Sequence, residues 1–355
     1  MRQFILEAID THPQPLEKDG AVVVVTGASS GIGRSTAELF ARRGWRVGLI
    51  ARGEAGLQAA CSDVERQGVM AATVQADVTD LAALDNAATH FEQTLGPIDV
   101  WVNCAGNGTY GRFLDTPADQ FQRVTDVTYL GTVNGTRVAL RRMLPRDRGS
   151  IINVCSAVAY HGMPLLSSYS GAKHAVRGFG QSICAELFEE GSRVRLTTIF
   201  PPAVNTPFFE HAISHMGRPG RPIAPVYQPE TIAEAIYLAT MTKRREMPVS
   251  FTTLAFSIGV RLVPGLVHRA IRKLGYGGQL ADGAMSPTPQ DTTLFAASDR
   301  ASPARGAFST GARSGSVHVR LLCALAALTG RSRIAADATP SPVEDPAPAI
   351  LEEPV

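Results

Sequence analysis

Ala21-Val22-Val23-Val24-Val25-Thr26-Gly27-Ala28-Ser29-Ser30-Gly31-Ile32-Gly33 decides the fold of this chain. A short β-branched run passes straight into glycine, and a helical segment begins near Gly31–Gly33. Branched side chains favour a strand, and an apolar run without alternation suits a strand buried on both faces. Small residues in the turn let the backbone approach a pyrophosphate, and a helix N-terminus favours an anion. The spacing is Gly27-x3-Gly31-x-Gly33, not G-x-G-x-x-G, so the turn by itself reads equally as a nucleotide cradle or a tight turn. Its place between a first strand and a first helix favours the cradle.

The same alternation runs on to about Phe251. Further short runs are Arg46–Ala51, Ala71–Ala76, Ile98–Asn103, Ser150–Cys155, Val194–Phe200 and a weaker Met247–Ser250, with longer helical segments between them. Continuous apolar strands separated by helices predict an α/β fold, a Rossmann-like doubly wound parallel sheet of about seven strands with helices on both faces. Four regions follow: an N-terminal extension over 1–20, a nucleotide-binding catalytic domain over 21–251, an apolar and basic helical extension over 252–283, and a largely irregular or disordered tail over 284–355. Pro264 and Gly265 break the helical extension into two short helices, with Val267, Ile271 and Leu274 on one face. Cations are few there, which favours packing against the core or a partner subunit over contact with a membrane surface. In the tail, Ala284–Ser316 is rich in small and turn-forming residues, Val317–Leu328 can form a short helix, and Asp337–Val355 is acidic and proline-rich.

Composition excludes several classes. A net charge of +2 over 355 residues gives no dense basic patch, so nucleic acid is not an expected partner. Five cysteines, an odd number without paired spacing, form no disulfide framework, and a reducing compartment follows. The N-terminus lacks the apolar core of a secretory signal, and no run reaches the roughly 18 apolar residues of a membrane span. A cytoplasmic protein is expected, with peripheral membrane contact through the C-terminal extension as the open alternative. His211 and His215 have a zinc-compatible spacing, but Ala212 stands where a metalloprotease has glutamate, so no metal is expected.

The end of the second strand chooses the cofactor. A carboxylate there binds the adenosine 2′-hydroxyl of NAD. This chain has Arg52, with Arg34 just past the last glycine. Two cations and no carboxylate suit a 2′-phosphate, so NADP(H) is expected over NAD(H); otherwise both are solvated surface charges. Asp77-Val78 after the third strand can edge an adenine, and Asn103-Cys104-Ala105-Gly106 after the fourth permits close cofactor approach.

Tyr169 and Lys173 lie one helical turn apart and share a face. An ammonium beside a phenol lowers its pKa, making tyrosine a usable acid or base. Ser156 lies just past the fifth strand, at the edge where such sheets bind ligands, and its hydroxyl can hold a substrate oxygen.

With these motifs in this order, the chain resembles the short-chain dehydrogenase/reductase family over roughly Ala21 to Phe251. The resemblance implies that Gly27, Ser29, Ser30, Gly31, Ile32 and Gly33 form the cofactor loop, and that Asn103, Ala105 and Gly106 form the motif after strand four. It implies a catalytic set of Ser156, Tyr169 and Lys173, with Lys173 also on the nicotinamide ribose. It places the Pro201–Thr206 segment beside the nicotinamide, with Val204 and Thr206 on its carboxamide. Thr128 stands where the family has a relay asparagine, and Pro202 where it has glycine. The expected protein is an NADP(H)-dependent oxidoreductase interconverting an alcohol and a carbonyl. A non-catalytic NADP(H)-binding regulator of the same fold is the alternative. Pro207-Phe208-Phe209 suggests an apolar alcohol or ketone. The family resemblance also implies a homodimer or homotetramer, paired through the helices carrying Tyr129 and Tyr169.

Overall fold

Val22–Thr26 form β1, and all five residues are buried. Val23 and Val25 pack into one apolar layer with Ala37, Phe40 and Trp45. Val22 and Val24 pack into the other, with Leu84, Ala88 and Phe91. A strand covered on both faces gains nothing from alternation, which is why this one reads as unbroken valine. The computed structural model describes residues 20–282 and 292–328. Residues 1–19, the tail segment 283–291 and the acidic, proline-rich end fall outside the described residues.

After β1 come α1 (Gly31–Arg42), β2 (Arg46–Ala51), α2 (Glu54–Glu65), β3 (Ala71–Gln75), α3 (Leu81–Thr94) and β4 (Ile98–Asn103). Asp80 starts α3 by accepting the Ala83 backbone N–H at 3.0 Å. Then α4 (Ala118–Thr125) runs through a widened π turn, Asp126–Leu130, into α5 (Gly131–Met143). β5 (Ser150–Val154), α6 (Ser167–Glu189), β6 (Arg195–Phe200), α7 (Pro229–Ala239) and β7 (Glu246–Pro248) complete the core. The seven strands lie in the order β3-β2-β1-β4-β5-β6-β7, and every pair is parallel. The order reverses between β1 and β4, and the carboxyl ends of that pair open the crevice where such sheets take ligands.

The helical extension forms two helices, α8 (Phe251–Leu262) and α9 (Pro264–Leu274). Ser250 caps α8, accepting the Thr253 N–H at 3.1 Å, and Pro264 opens α9, where its missing N–H leaves no bond unmade. α10 (Val317–Leu328) forms where the apolar run predicts it, and Val319 is buried in the same layer as Ile236. Residues 292–316 hold no helix and no strand of the sheet, but they are not loose. Phe308 N–H donates to Asn205 Oδ1 at 2.8 Å, Arg305 pairs with Glu230 at 2.9 Å, and Ser316 Oγ donates to the Val249 carbonyl at 2.7 Å. These bonds tie the segment across the carboxyl edge of the sheet as a strap. No described helix is long and apolar enough to cross a membrane.

Candidate active site

A cleft of about 640 Å³ opens at the carboxyl edge, with the glycine turn at one end and Ser156, Tyr169 and Lys173 further along. Gly27 has φ +67°, and a Cβ there would lie 2.8 Å from the Ala105 backbone. A Cβ on Gly33 would lie 2.2 Å from the Gly27 carbonyl oxygen. Glycine at both positions is therefore required by close packing. Ser29, Ser30, Gly31 and Ile32 line the cleft beside them. A nucleotide diphosphate suits this cradle at the first turn of α1.

At the catalytic end, Tyr169, Ser156 and Lys173 line the same stretch of the cleft. Lys173 is buried, and its Nζ donates to the Val154 carbonyl at 2.8 Å while lying 5.6 Å from the Tyr169 ring centroid. Burial pushes the Tyr169 hydroxyl up, the neighbouring Cys155 and Cys104 thiols push it further, and Ser156 pulls against them. Burial pulls the Lys173 ammonium down. The lowering expected for Tyr169 is thus reversed in net direction, because burial disfavours the charged phenolate. Burial also pushes Cys104 up to about 12 and Cys155 up to about 11, which leaves both as inert thiols.

Three expected site residues do not line the cleft. Asn103 is buried and donates from Nδ2 to Asn153 Oδ1 at 2.9 Å and Thr136 Oγ1 at 3.1 Å, while Trp101 donates to its Oδ1 at 2.8 Å. Its side chain ties β4 to its neighbours. Thr128 is fully buried in the π turn. Its hydroxyl accepts the Asn107 N–H at 3.2 Å and lies 3.1 Å from the Asn107 carbonyl oxygen. Asn107 itself lines the cleft, and its buried side-chain Nδ2 has no hydrogen-bond partner among the described residues. Asn107 directly follows the Asn103–Gly106 motif, and that adjacency is the one mark its place in the cleft leaves in the sequence. Arg34, the third, donates to Asp63 Oδ2 at 2.6 Å and to the Ser302 carbonyl at 2.9 Å.

Arg52 lines the cleft, but its donors are engaged. It donates to the carbonyls of Thr293, Leu294 and Phe295 in the strap. Leu294 is buried beneath them, and its carbonyl also accepts Arg123 Nε at 3.1 Å. Arg123 pairs with Asp77. Burial opposes ionisation of Asp77, but the Thr79 backbone N–H and Arg123 together hold its carboxyl below the usual range. Further along, the Gly31 N–H donates to the Pro303 carbonyl at 3.3 Å. Thr293, Leu294, Ser298 and Ser302 thus belong to the cleft wall. Their contribution is made largely by backbone carbonyls, which leave no mark in sequence.

Val78, Ala105 and Gly106 line the middle, and Pro201, Val204 and Thr206 line the wall near Ser156. The substrate side is apolar: Tyr110, Met163, Leu166, Phe208 and Phe209 surround Tyr169, with the Phe208 ring 5.3 Å from the Tyr169 ring. His211 and His215 take different partners, Ser302 Oγ at 3.2 Å and Gln120 Oε1 at 2.8 Å.

A family model described as short chain dehydrogenase matches residues 21–216. The chain belongs to the short-chain dehydrogenase family. As a short-chain dehydrogenase it is an oxidoreductase, in a family that binds a nicotinamide cofactor. It is 34% identical over 290 residues to the uncharacterized oxidoreductase YxnA of Bacillus subtilis, covering 81% of each chain. It is 35% identical to the probable oxidoreductase EphD of Mycobacterium tuberculosis over 71% of this chain and 44% of that one. The zebrafish (Danio rerio) 3-dehydrosphinganine reductase is 34% identical over 56% of this chain and 60% of its own length. Among solved structures, a short-chain dehydrogenase from Burkholderia phymatum in complex with NAD shares the fold at TM-score 0.63 and 24% identity, over 72% of this chain and 97% of that one. An alcohol dehydrogenase from Thermococcus sibiricus complexed with 5-hydroxy-NADP matches at TM-score 0.56 and 26% identity, over 64% and 95%.

Proposed function

We propose that this short-chain dehydrogenase is an NADP(H)-dependent reductase of a bulky apolar ketone. The observation that carries the reading is one cleft holding both the β1–α1 glycine cradle and Ser156, Tyr169 and Lys173. The nicotinamide, when bound, supplies the hydride. Ser156 holds the carbonyl oxygen, and Tyr169 gives it a proton. Burial favours the neutral Tyr169 phenol, the form that gives a proton to the carbonyl. Lys173 steadies the phenolate left behind, and Thr128 with Asn107 orders the groups behind it. The aromatic wall of Phe208 and Phe209 favours an apolar substrate, and the zebrafish relative is itself named a reductase.

Arg52, with no carboxylate ending β2, supports NADP(H) over NAD(H); binding the 2′-phosphate exchanges strap carbonyls for phosphate oxygens. Val133, Leu140, Phe179 and Ile183 line an apolar groove between α5 and α6, which supports pairing of copies as a homodimer or homotetramer. The test is a panel of ketones and alcohols with NADPH and NADH, with Tyr169→Phe as the blank. NADPH-dependent ketone reduction that falls about 100- to 10,000-fold in the variant, with NADPH binding retained, is expected. Equal turnover in the variant would refute the role of Tyr169. NADH preference would overturn the reading of Arg52, and tight NADPH binding without turnover on any substrate would favour the non-catalytic regulator.

A further inference from the structure

α8 is apolar on its outer side. Its buried positions are Thr253 and Ser257, whereas Phe251, Ala255, Ile258 and Leu262 are exposed and follow one another at helical spacing. A helix that packs only on a core shows the opposite pattern. The stripe continues into the turn and α9, where Val263 is 46% and Leu266 67% exposed, after 75% at Leu262. Single exposed apolar residues are ordinary, but a contiguous stripe marks a contact surface.

The charges around it have one sign. No acidic residue occurs between Glu246 and Asp282, whereas Arg261, Arg269, Arg272 and Lys273 all do, and all four are exposed. The whole chain carries only +2, so this surface is locally biased. We propose that the α8–α9 hairpin docks the protein on a bilayer surface carrying anionic headgroups. Leu262, Val263 and Leu266 enter the interface, and the four cations meet the headgroups. A second copy is the poorer occupant, because a two-fold contact would set this acid-free, cationic surface against itself. Spanning is excluded by length: the 12 residues of α8 reach about 18 Å against about 30 Å of hydrocarbon. The number of cations alone favours packing; the outward apolar stripe and the missing acids reverse that reading. The inner side of the hairpin supplies Phe256, Ala270, Ile271 and Gly275 to the cleft wall, so docking sets the apolar cleft beside the lipid.

The test is flotation of the full chain with phosphatidylcholine vesicles, with and without phosphatidylglycerol. Binding only to the anionic vesicles, released by high salt, is expected. Leu262→Ser/Leu266→Ser and, separately, Arg269→Gln/Arg272→Gln/Lys273→Gln should each lower the bound fraction at least about tenfold. Circular dichroism, melting temperature and NADPH binding should be unchanged in both variants. Failure to float, equal binding without phosphatidylglycerol, or variants that bind as well as the parent would overturn the proposal. So would a leucine variant whose mass in light scattering drops to that of a smaller oligomer, since the stripe would then be an interface between copies.

Discussion

At Tyr169, burial and charge act in opposite directions on one oxygen. Reasoning from Lys173 alone brings the phenol down, yet the balance is upward, because burial disfavours the charged form of each group. The pH dependence follows with a definite sign. Reduction needs the protonated phenol, so kcat/KM for reduction should stay flat from about pH 6 to about pH 9. Oxidation needs the phenolate and should rise about tenfold per unit over the same range without a plateau. A plateau in the oxidation profile near neutrality would show that Lys173 prevails. Thr128 makes a second point at this scale. Thr128→Val keeps the shape but leaves the Asn107 N–H without its acceptor, and denaturant titration should show a loss of about 1–3 kcal/mol. The motif residues Ser156, Tyr169, Lys173 and the glycines are legible in sequence because each acts through its side chain or through the lack of one. The Thr128–Asn107 pair is not, because only the fold closes the 21-position separation between them.

Among the elements, the break between α8 and α9 is readable because proline cannot continue a helix interior. The strap is the contrary case. Residues 292–316 look like filler, and their role rests on carbonyls that any residue type would present. Arg52→Gln tests the element from the other side. It removes an anchor of the strap as well as a phosphate donor. Proteolytic cleavage within 292–303 should accelerate, and KM for NADPH should rise about tenfold while that for NADH changes little. An unchanged cleavage rate would mean that Arg52 does not hold the strap. Asn103 is the reverse case: its side-chain amide serves the sheet, bonded to Asn153, Thr136 and Trp101, which its place in the motif does not reveal.

For the whole molecule, the alternation of strands and helices is enough to anticipate the parallel sheet and its crevice. It does not reveal that segments drawn as appendages wall the same cleft, from Gly27 through Phe256 and Ile271 to Ser302. A ligand held by all of them should stabilise all of them. NADPH at about a hundredfold its Kd should add about 2.7 kcal/mol to unfolding. Amide hydrogen exchange should slow in peptides containing Phe256 and Leu294 as well as in the glycine turn; protection confined to residues 27–206 would show that the hairpin and strap stand apart from the cofactor. The strap also changes what an affinity means for this enzyme. Donors on Arg52 and the Gly31 amide already have acceptors within the chain. A phosphate arriving there replaces a bond and does not add one. The dissociation constant for such a phosphate would therefore measure the difference between two acceptors, and drift in a stretch with no catalytic side chain would tune cofactor choice while the reaction chemistry stays untouched.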